Sequence, residues 1–535
     1  MHRATPLPAV TTRLHPRRVT ATKFGKGMVD MADRSPARQP QRGDHVDVVI
    51  VGAGLSGIGA AHHLRTHCPD KSFLILEGRE RMGGTWDLFR YPGIRSDSDM
   101  YTLGYSFRPW KERKAIADGP SILSYIRDTA REGGIEPHIR YRHQVKSASW
   151  SSAEARWTVL AERGDTGEAV HFTCNWLHMC SGYYDYAQGH APEFDGAADF
   201  RGRIVHPQFW PDDLDYEGRR VVVIGSGATA VTIVPEMARK AAHVTMLQRS
   251  PTYMVSMPGE DRVANALRKV LPAGLSYKLV RWKNVLFQMF FFNLARKRPD
   301  WMRRRLIGEV TKLLPDGFDV GTHFTPRYNP WDQRLCLVPD ADMFHAIKSG
   351  RVSVATGEID RFTAGSIRLK SGEELPAEII VSATGLKIQL FSGIAFTIDG
   401  QARNLSDTLA YRAFMFSDVP NMSYAFGYTN ASWTLKADLS AMYLCRLLNH
   451  MDARGWQVAM ARRDPSVEQV PFLDFTSGYV QRAAHVLPKQ GATHPWRVHQ
   501  NYVKDIASLK YGRIEDGVMT FSKAGVPAGR EPAAA

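Results

Sequence analysis

Short apolar runs alternate with helical patterns along the chain. Val48 to Val51 form an apolar run typical of a buried parallel strand, and a helical spacing of apolar residues begins at Ala60 to Leu64. The same order returns in "RRVVVIGSGATAVTIVPEMA", and a further buried strand, Ile379 to Ala383, closes on Thr384-Gly385. Strands that alternate with helices in this way predict an α/β fold with parallel sheets.

A glycine-rich turn joins the first strand to the first helix. It contains Gly52, Gly54 and Gly57, which allow a tight turn, a close approach of the backbone to a pyrophosphate, and helix-on-strand packing. The next strand, "SFLILE", ends at Glu77, whose carboxylate accepts hydrogen bonds from an adenosine ribose and repels a 2′-phosphate. This turn therefore predicts a site for FAD or NAD rather than for NADP.

A second turn of the same type follows the stretch "RRVVVI". Its residues are Gly225, Gly227, Thr229 and Ala230. The strand after it, "HVTMLQRS", ends without an acid and offers Arg249 and Ser250, a guanidinium and a hydroxyl that suit a 2′-phosphate. The simplest pairing is FAD in the first site and NADPH in the second, which predicts an oxidoreductase with two Rossmann-like domains, the NADPH domain being inserted in the FAD domain.

These landmarks divide the chain into segments. We predict a basic, disordered N-terminal extension (1–44), the first part of the FAD-binding domain (45–195), an interdomain linker (196–218), the NADPH-binding domain (219–376) with a helical insertion at about 255–325, the second part of the FAD-binding domain (377–515), and a C-terminal tail (516–535).

Composition and charge narrow the class of protein. A hydrophobic content of 44% and a charged content of 23% are ordinary for a soluble globular chain. The five cysteines form no CxxC pair, which predicts reduced thiols in a cytoplasmic protein and no metal site. Part of the net charge of +15 lies in residues 1–29, which hold six basic residues and no acid. A disordered extension, an early start codon and a transit-type peptide remain open there.

A second basic region covers residues 277–306, where an apolar run is bracketed by arginines and lysines. The run is too short to span a bilayer. An interfacial helix on anionic lipid, which would make the protein peripheral to the membrane, and a helix packed on the protein's own surface both fit this pattern. The interleaved basic and stacking residues of a nucleic-acid-binding module are missing, so no nucleic-acid partner is predicted.

Two longer motifs carry a family resemblance. "FRGRIVHPQFWP" matches the signature FxGxxxHxxxWP at Phe200, Gly202, His206, Trp210 and Pro211. "GGTWDLFRYPGIRSD" matches a second motif at Gly83, Gly84, Trp86, Tyr91, Pro92, Gly93 and Asp97. The chain resembles the Baeyer–Villiger monooxygenases. From about Asp47 to Tyr511 its sequence is similar to the ethionamide monooxygenase subfamily.

The resemblance implies a function. An enzyme of this family uses FAD, NADPH and O₂ to convert hydrophobic ketones to esters or lactones through a C4a-peroxyflavin, with oxidation of sulfides or thioamides as a side activity. Arg334 matches the active-site arginine and Asp97 the carboxylate that places it. Many relatives carry a lysine before this arginine, whereas here Gln333 precedes it, so the NADPH preference rests more heavily on Arg249 and Ser250.

The resemblance also places other residues. Gly84 and Trp86 would contact a cofactor, and His206 and Trp210 would anchor a hinge that positions both cofactors. Asn430 and Trp433 lie near the flavin and substrate, or pack in the core. A flavin-containing monooxygenase that oxidises nitrogen or sulfur, a simple NADPH oxidase, and a basic protein that binds membrane or nucleic-acid surfaces are the rival interpretations.

Overall fold

The computed structural model describes residues 45–473 and 477–525. The predicted N-terminal extension lies outside the described residues, as do residues 526–535 of the predicted C-terminal tail. Within that tail, Met519–Ser522 forms a strand that pairs antiparallel with Val458–Ala461. The prediction of a tail from residue 516 is wrong for this strand, because Met519 is buried against the core.

The first sheet forms around the apolar run at the start of the described chain. His45–Val51 pairs in parallel with Phe73–Leu76 on one side and Ala169–Met179 on the other. Its remaining strands are Ile139–Arg140, His143–Ser151, Arg156–Arg163, Ala395–Ile398, Gln401–Ala402, Ala410–Tyr411, Met415–Phe416 and Met422–Tyr424. Strands from residues 45–179 and from residues 395–424 therefore share one sheet.

The second sheet has five parallel strands. Their spatial order is Val352–Thr356, His243–Gln248, Arg220–Ile224, Ile379–Ser382 and Arg203–Val205. The predicted boundary at residue 377 is therefore misplaced, because Ile379–Ser382 belongs to this sheet and the chain returns to the first sheet only afterwards. An apolar strand of this kind is compatible with either sheet until its neighbours are known.

Helices cover the sheets and fill the segment between the second turn and Arg334. They are Leu55–His67, Thr85–Leu88, Met100–Leu103, Gly119–Glu132, Ala228–Met237, Arg262–Val270, Ala273–Lys297, Pro299–Leu313, Val320–Phe324, Asp342–Lys348, Trp433–Arg454, Gly478–Ala483 and Tyr502–Asp505, with a π-helical turn at Ile506–Tyr511. Short helical turns lie at Glu136–His138, Ala197–Asp199, Pro207–Phe209, Leu390–Gly393 and Leu405–Asp407.

Small sheets complete the structure. They pair Tyr184–Gly189 with Leu386–Ile388, Met254–Met257 with Cys336–Pro339, and Gln469–Pro471 with Lys489–Gly491, and they join Ile359–Phe362, Ser366–Leu369 and Glu374–Pro376. All five cysteines are buried free thiols. No helix among the described residues is long and apolar enough to cross a membrane, and the same residues contain no cluster of metal ligands.

Buried polar contacts link the helix Trp433–Arg454 to other parts of the chain. The carboxylate of Asp438, in the helix Trp433–Arg454, lies 3.4 Å from His63 and 3.7 Å from Arg281. In the same helix, Lys436 lies 3.1 Å from Asp505. Because removing one partner of a buried pair costs about 3–5 kcal/mol, these contacts fix the helix that closes one side of the cavity described next.

Candidate functional site

The first glycine turn cannot accommodate side chains. Gly52 has a φ of +105°, and a Cβ there would lie 2.7 Å from the carbonyl oxygen of Cys180. A Cβ on Gly57 would lie 1.9 Å from the carbonyl oxygen of Gly52. Glycine is therefore required at both positions, and the helix that begins at Leu55 can start directly behind the strand.

The second motif closes over this turn. Gly83 and Gly84 have φ values of +124° and +55°, and the amide of Gly83 donates to the carbonyl of Ala53 at 3.0 Å. A Cβ on Gly84 would lie 3.1 Å from the Cα of Gly54. Two backbone segments thus meet without side chains between them, which leaves a cradle of exposed peptide groups.

Glu77 stands at the end of the second strand, as the sequence predicts. Its carboxylate accepts the backbone N–H of Ala53 at 2.8 Å and that of Arg79 at 2.9 Å. Burial raises the pKa of Glu77 above its usual value, and these two hydrogen bonds act in the opposite direction. The carboxylate oxygens retain further lone pairs for a ribose hydroxyl.

A cavity of about 530 Å³, called here the dinucleotide cavity, joins these elements. Its lining includes Gly52, Gly54, Glu77, Gly84, Trp86, Asp97, Arg334 and Trp433. The glycine turn and the buried acid fit the adenine dinucleotide FAD, because the turn lets the backbone approach a pyrophosphate and the acid can accept a ribose hydroxyl.

Arg334 and Asp97 form an ion pair inside this cavity. The guanidinium Nη1 lies 3.2 Å from Oδ2 of Asp97, and each side chain is 41% exposed. Asp97 raises the pKa of Arg334 above its usual value, so the arginine stays charged. The two residues are 237 positions apart in the sequence, and the fold brings them together as the motif match predicts. Their chemical roles stay predictions.

Sequence reasoning missed two tyrosines of the cavity. The hydroxyls of Tyr183 and Tyr184 are 2.8 Å apart, and the ring of Tyr183 stacks on Trp433 at 5.4 Å. Burial raises the pKa of both phenols, so they remain protonated donors. Their position just after the strand Ala169–Met179 could have indicated a ligand contact, because ligands bind at the carboxyl ends of parallel strands.

The two residues predicted near the substrate lie in different places. Trp433 lines the cavity and donates its indole N–H to Ser56 at 2.7 Å. Asn430 is outside the described lining and donates to the carbonyl of Gln500 at 3.0 Å. Asn430 therefore orders the loop before the helix that starts at Trp433.

The second turn has the same geometry as the first. Gly225 has a φ of +135°, and a Cβ there would lie 2.4 Å from the carbonyl of Ala383. A Cβ on Gly227 would meet nothing within 4 Å, so this peptide faces open space before the helix Ala228–Met237. Ala230 is fully buried, and Thr229 hydrogen-bonds the Tyr91 phenol of the second motif.

The predicted 2′-phosphate residues end the neighbouring strand. Arg249 and Ser250 are exposed directly after His243–Gln248. The hydroxyl of Ser226, within the turn, donates to the carbonyl of Ser250 at 3.2 Å. The turn and the basic strand end are therefore held side by side. A dinucleotide requires this arrangement when its pyrophosphate lies at the turn and its ribose lies at the strand end.

The linker signature is packed rather than loose. A Cβ on Gly202 would lie 2.1 Å from the carbonyl of Glu378, and the ring of Phe200 packs edge-on against Phe362. His206 accepts the backbone N–H of Gln208, and its ring occupies the place where a Cβ on Gly189 would lie. Trp210 packs against the core of the second sheet and Pro211 follows it.

Comparison with known proteins defines the class. A flavin-binding monooxygenase-like family model matches residues 106–307, and a NAD(P)-binding Rossmann-like model matches residues 50–112. An oxidised steroid monooxygenase bound to NADP has a TM-score of 0.68 at 21% identity, covering 90% of this chain and 100% of that one. The ε-caprolactone-bound structure of cyclohexanone monooxygenase has a TM-score of 0.69 at 18% sequence identity. The match covers 89% of this chain and 100% of that one. These structural neighbours share the fold, and the predicted fold class is confirmed.

Sequence relatives define the family within that class. FAD-containing monooxygenase EthA of Mycobacterium tuberculosis is 56% identical over 488 residues, 91% of this chain and 99% of that protein. Probable FAD-binding monooxygenase AlmA of Acinetobacter baylyi is 48% identical over 482 residues, 90% and 96% of the two chains. The chain belongs to the family of FAD-containing monooxygenases that includes EthA. The prediction of a monooxygenase resembling the Baeyer–Villiger enzymes is confirmed.

We predict that Gly57→Ala lowers the free energy of unfolding by about 1–3 kcal/mol and reduces the flavin content, because the new methyl group meets a backbone carbonyl. Chemical denaturation and the yellow absorbance of the purified protein measure these effects. Gly308→Ala, in the helix Pro299–Leu313 where a Cβ meets nothing within 4 Å, is the control and should be neutral or stabilising. A Gly57→Ala protein as stable and as yellow as the wild type would contradict the assignment.

Proposed function

We propose that this enzyme binds FAD in the first site and NADPH in the second, and uses O₂ to convert hydrophobic ketones to esters or lactones. Oxidation of sulfides or thioamides is the expected side activity. The observation that carries the proposal is the Arg334–Asp97 ion pair, 3.2 Å long, inside the dinucleotide cavity. A permanent cation at this position suits an anionic oxygen reagent bound beside it.

The chain's own residues have separate tasks in this proposal. Bound FAD, once reduced by NADPH, supplies the activation of O₂. Arg334 holds a positive charge that is not lost at neutral pH, and Asp97 fixes the direction of its guanidinium. The stacked rings of Tyr183 and Trp433 exclude water from one wall of the cavity.

Arg334→Ala should still allow NADPH to reduce the flavin but should lower ester formation at least 100-fold, because the oxygen anion loses its fixed counter-charge. Stopped-flow bleaching of the flavin measures the first step, and mass spectrometry of ketone products measures the second. Arg296→Ala, which removes an exposed arginine paired with Asp332, is a matched control and should behave as the wild type. Ester formation at a near-normal rate in Arg334→Ala would exclude this role.

Selectivity for NADPH is proposed to depend on Arg249 and Ser250. A charge-assisted hydrogen bond contributes about 1.5–3 kcal/mol, and Gln333 stands at the position where many relatives of the resembled family carry a lysine. The 2′-phosphate is therefore held mainly from the strand end.

Arg249→Ala should raise the KM for NADPH about 10–100-fold and leave the KM for NADH unchanged, because only NADPH carries the phosphate. Steady-state kinetics with both nucleotides measures the difference. Arg239→Ala is the control, because Arg239 is exposed in the turn after the helix Ala228–Met237, where it pairs with Glu236. An equal rise in the KM for NADPH and for NADH would show that Arg249 maintains the shape of the strand end and does not contact the phosphate.

A flavin-containing monooxygenase acting only on sulfur or nitrogen is the second candidate. The match of residues 106–307 to the flavin-binding monooxygenase-like model is the observation that supports it. A panel of linear, cyclic and aryl ketones beside a thioether decides between them. Sulfoxide without any ester would select the second candidate.

We also propose a peripheral membrane association through the helix Ala273–Lys297. Leu275, Leu279, Trp282, Leu286 and Phe290 recur at intervals of three and four residues, and each is exposed, Phe290 to 65%. The opposite face of the helix packs on the protein. The helix therefore combines the two arrangements that fit the sequence, a helix on a lipid surface and a helix packed on the protein's own surface. The helix holds no acidic residue, and Arg296 and Lys297 close its last turn. Apolar residues flanked by cations fit an anionic lipid surface.

Phe290→Glu should weaken binding to phosphatidylglycerol vesicles at least 10-fold, because a carboxylate replaces an inserted ring and meets anionic headgroups. Vesicle co-sedimentation measures binding, and phosphatidylcholine vesicles are the neutral comparison. Ile204→Glu, at an apolar position 43% exposed on another surface, is the control. Absence of wild-type binding, together with a dimer in light scattering that Phe290→Glu abolishes, would assign the face to a second copy of the chain.

A further inference from the structure

A second cavity, of about 450 Å³, shares a wall with the dinucleotide cavity. Trp86 lines both cavities. The remaining apolar lining comes from Phe89, Ile94 and Leu123, and the polar lining comes mainly from arginines. A space that combines rings and aliphatic side chains with several cations differs from a gap left by imperfect packing, which would be apolar throughout.

Four arginines converge on one buried carboxylate at this cavity. Asp87 is 3% exposed, and its carboxylate lies 2.9 Å from Arg79, 3.1 Å from Arg81 and 3.2 Å from Arg127. Arg90 approaches it at 3.8 Å and donates to the backbone carbonyl of the same residue at 3.3 Å. One negative charge is therefore surrounded by four positive charges.

The neighbouring carboxylates have other partners. Glu80 pairs with Arg142 at 3.1 Å, and Asp128 pairs with Arg131. Asp118 caps the helix Gly119–Glu132 by accepting the N–H of Ser121 at 2.9 Å. The first residues of that helix, Gly119 and Pro120, line the cavity as well, and a helix N-terminus adds partial positive charge. The local field thus favours an anion.

The arginines have more donors than Asp87 can use. Each guanidinium carries about five N–H donors, whereas a carboxylate accepts about four hydrogen bonds. Arg81, Arg90 and Arg127 line the cavity, and their side chains are 50%, 46% and 42% exposed. An incoming carboxylate or phosphate would find charged donors already oriented by Asp87, which lowers the entropy cost of binding.

We propose that this second cavity binds an organic anion whose carboxylate or phosphate contacts Arg81, Arg90 and Arg127 and whose apolar body packs against Trp86, Phe89 and Leu123. Apart from the shared Trp86, its lining is separate from that of the dinucleotide cavity. Because its ligand would contact the indole that also walls the dinucleotide cavity, occupancy should be detectable in the flavin spectrum as well as by heat.

Isothermal titration of the FAD-loaded enzyme, with NADP⁺ in excess, tests the proposal. Sodium octanoate and octyl phosphate carry the two head groups, and 1-octanol is the uncharged probe. We expect one or both anions to bind, to shift the flavin absorbance, and to bind at least 10-fold more tightly than the alcohol. The head group that binds more tightly identifies the source of the ligand. Equal binding of 1-octanol would overturn the proposal.

Variants separate this cavity from the others. Arg81→Gln/Arg90→Gln leaves Arg79 and Arg127 on Asp87 and should weaken anion binding at least 10-fold without changing the KM for NADPH. Arg156→Gln/Arg163→Gln removes two charges from a remote strand and should bind as the wild type. If the double variant does not fold, Arg90→Gln alone, whose guanidinium makes the longest approach to Asp87, should weaken binding at least threefold. Unchanged anion binding in either folded variant would refute the site.

Discussion

The structure depends on the contact between two stretches of backbone with no side chain between them. At the first turn, a Cβ on Gly57 would lie 1.9 Å from the carbonyl of Gly52, and a Cβ on Gly84 would lie 3.1 Å from the Cα of Gly54. This contact sets where the first helix starts and where the second motif closes. The positions of Glu77, Trp86 and Asp97 around the dinucleotide cavity follow from it.

The sequence predicted these turns because their requirement is local. A glycine turn between an apolar strand and a helix has one geometry wherever it occurs, so both turns and the acid and base after them could be placed from spacing alone. Arg334 and Asp97 could be paired only through the family motifs, since 237 positions separate them. Tyr183 and Tyr184 carry no motif, and their place in the cavity follows from the register of a strand.

Other features depend on tertiary partners that a sequence does not reveal. The buried strand Ile379–Ser382 would fit either sheet, and only its pairing with Arg220–Ile224 assigns it to the second. The convergence of Arg79, Arg81, Arg90 and Arg127 on Asp87 likewise requires a helix from elsewhere in the chain. The basic residues behind the net charge of +15 are therefore distributed over several local sites. They include a helix surface, a strand end and the lining of a cavity.

The buried thiols have a consequence for the durability of the enzyme. Burial raises the pKa of Cys174 and Cys336 to about 12, and raises that of Cys180, which lines the dinucleotide cavity, further still. Only a thiolate attacks peroxide readily, so these thiols are poorly oxidised to sulfenic acid. In a flavoprotein monooxygenase, burial thus protects these three thiols from oxidation.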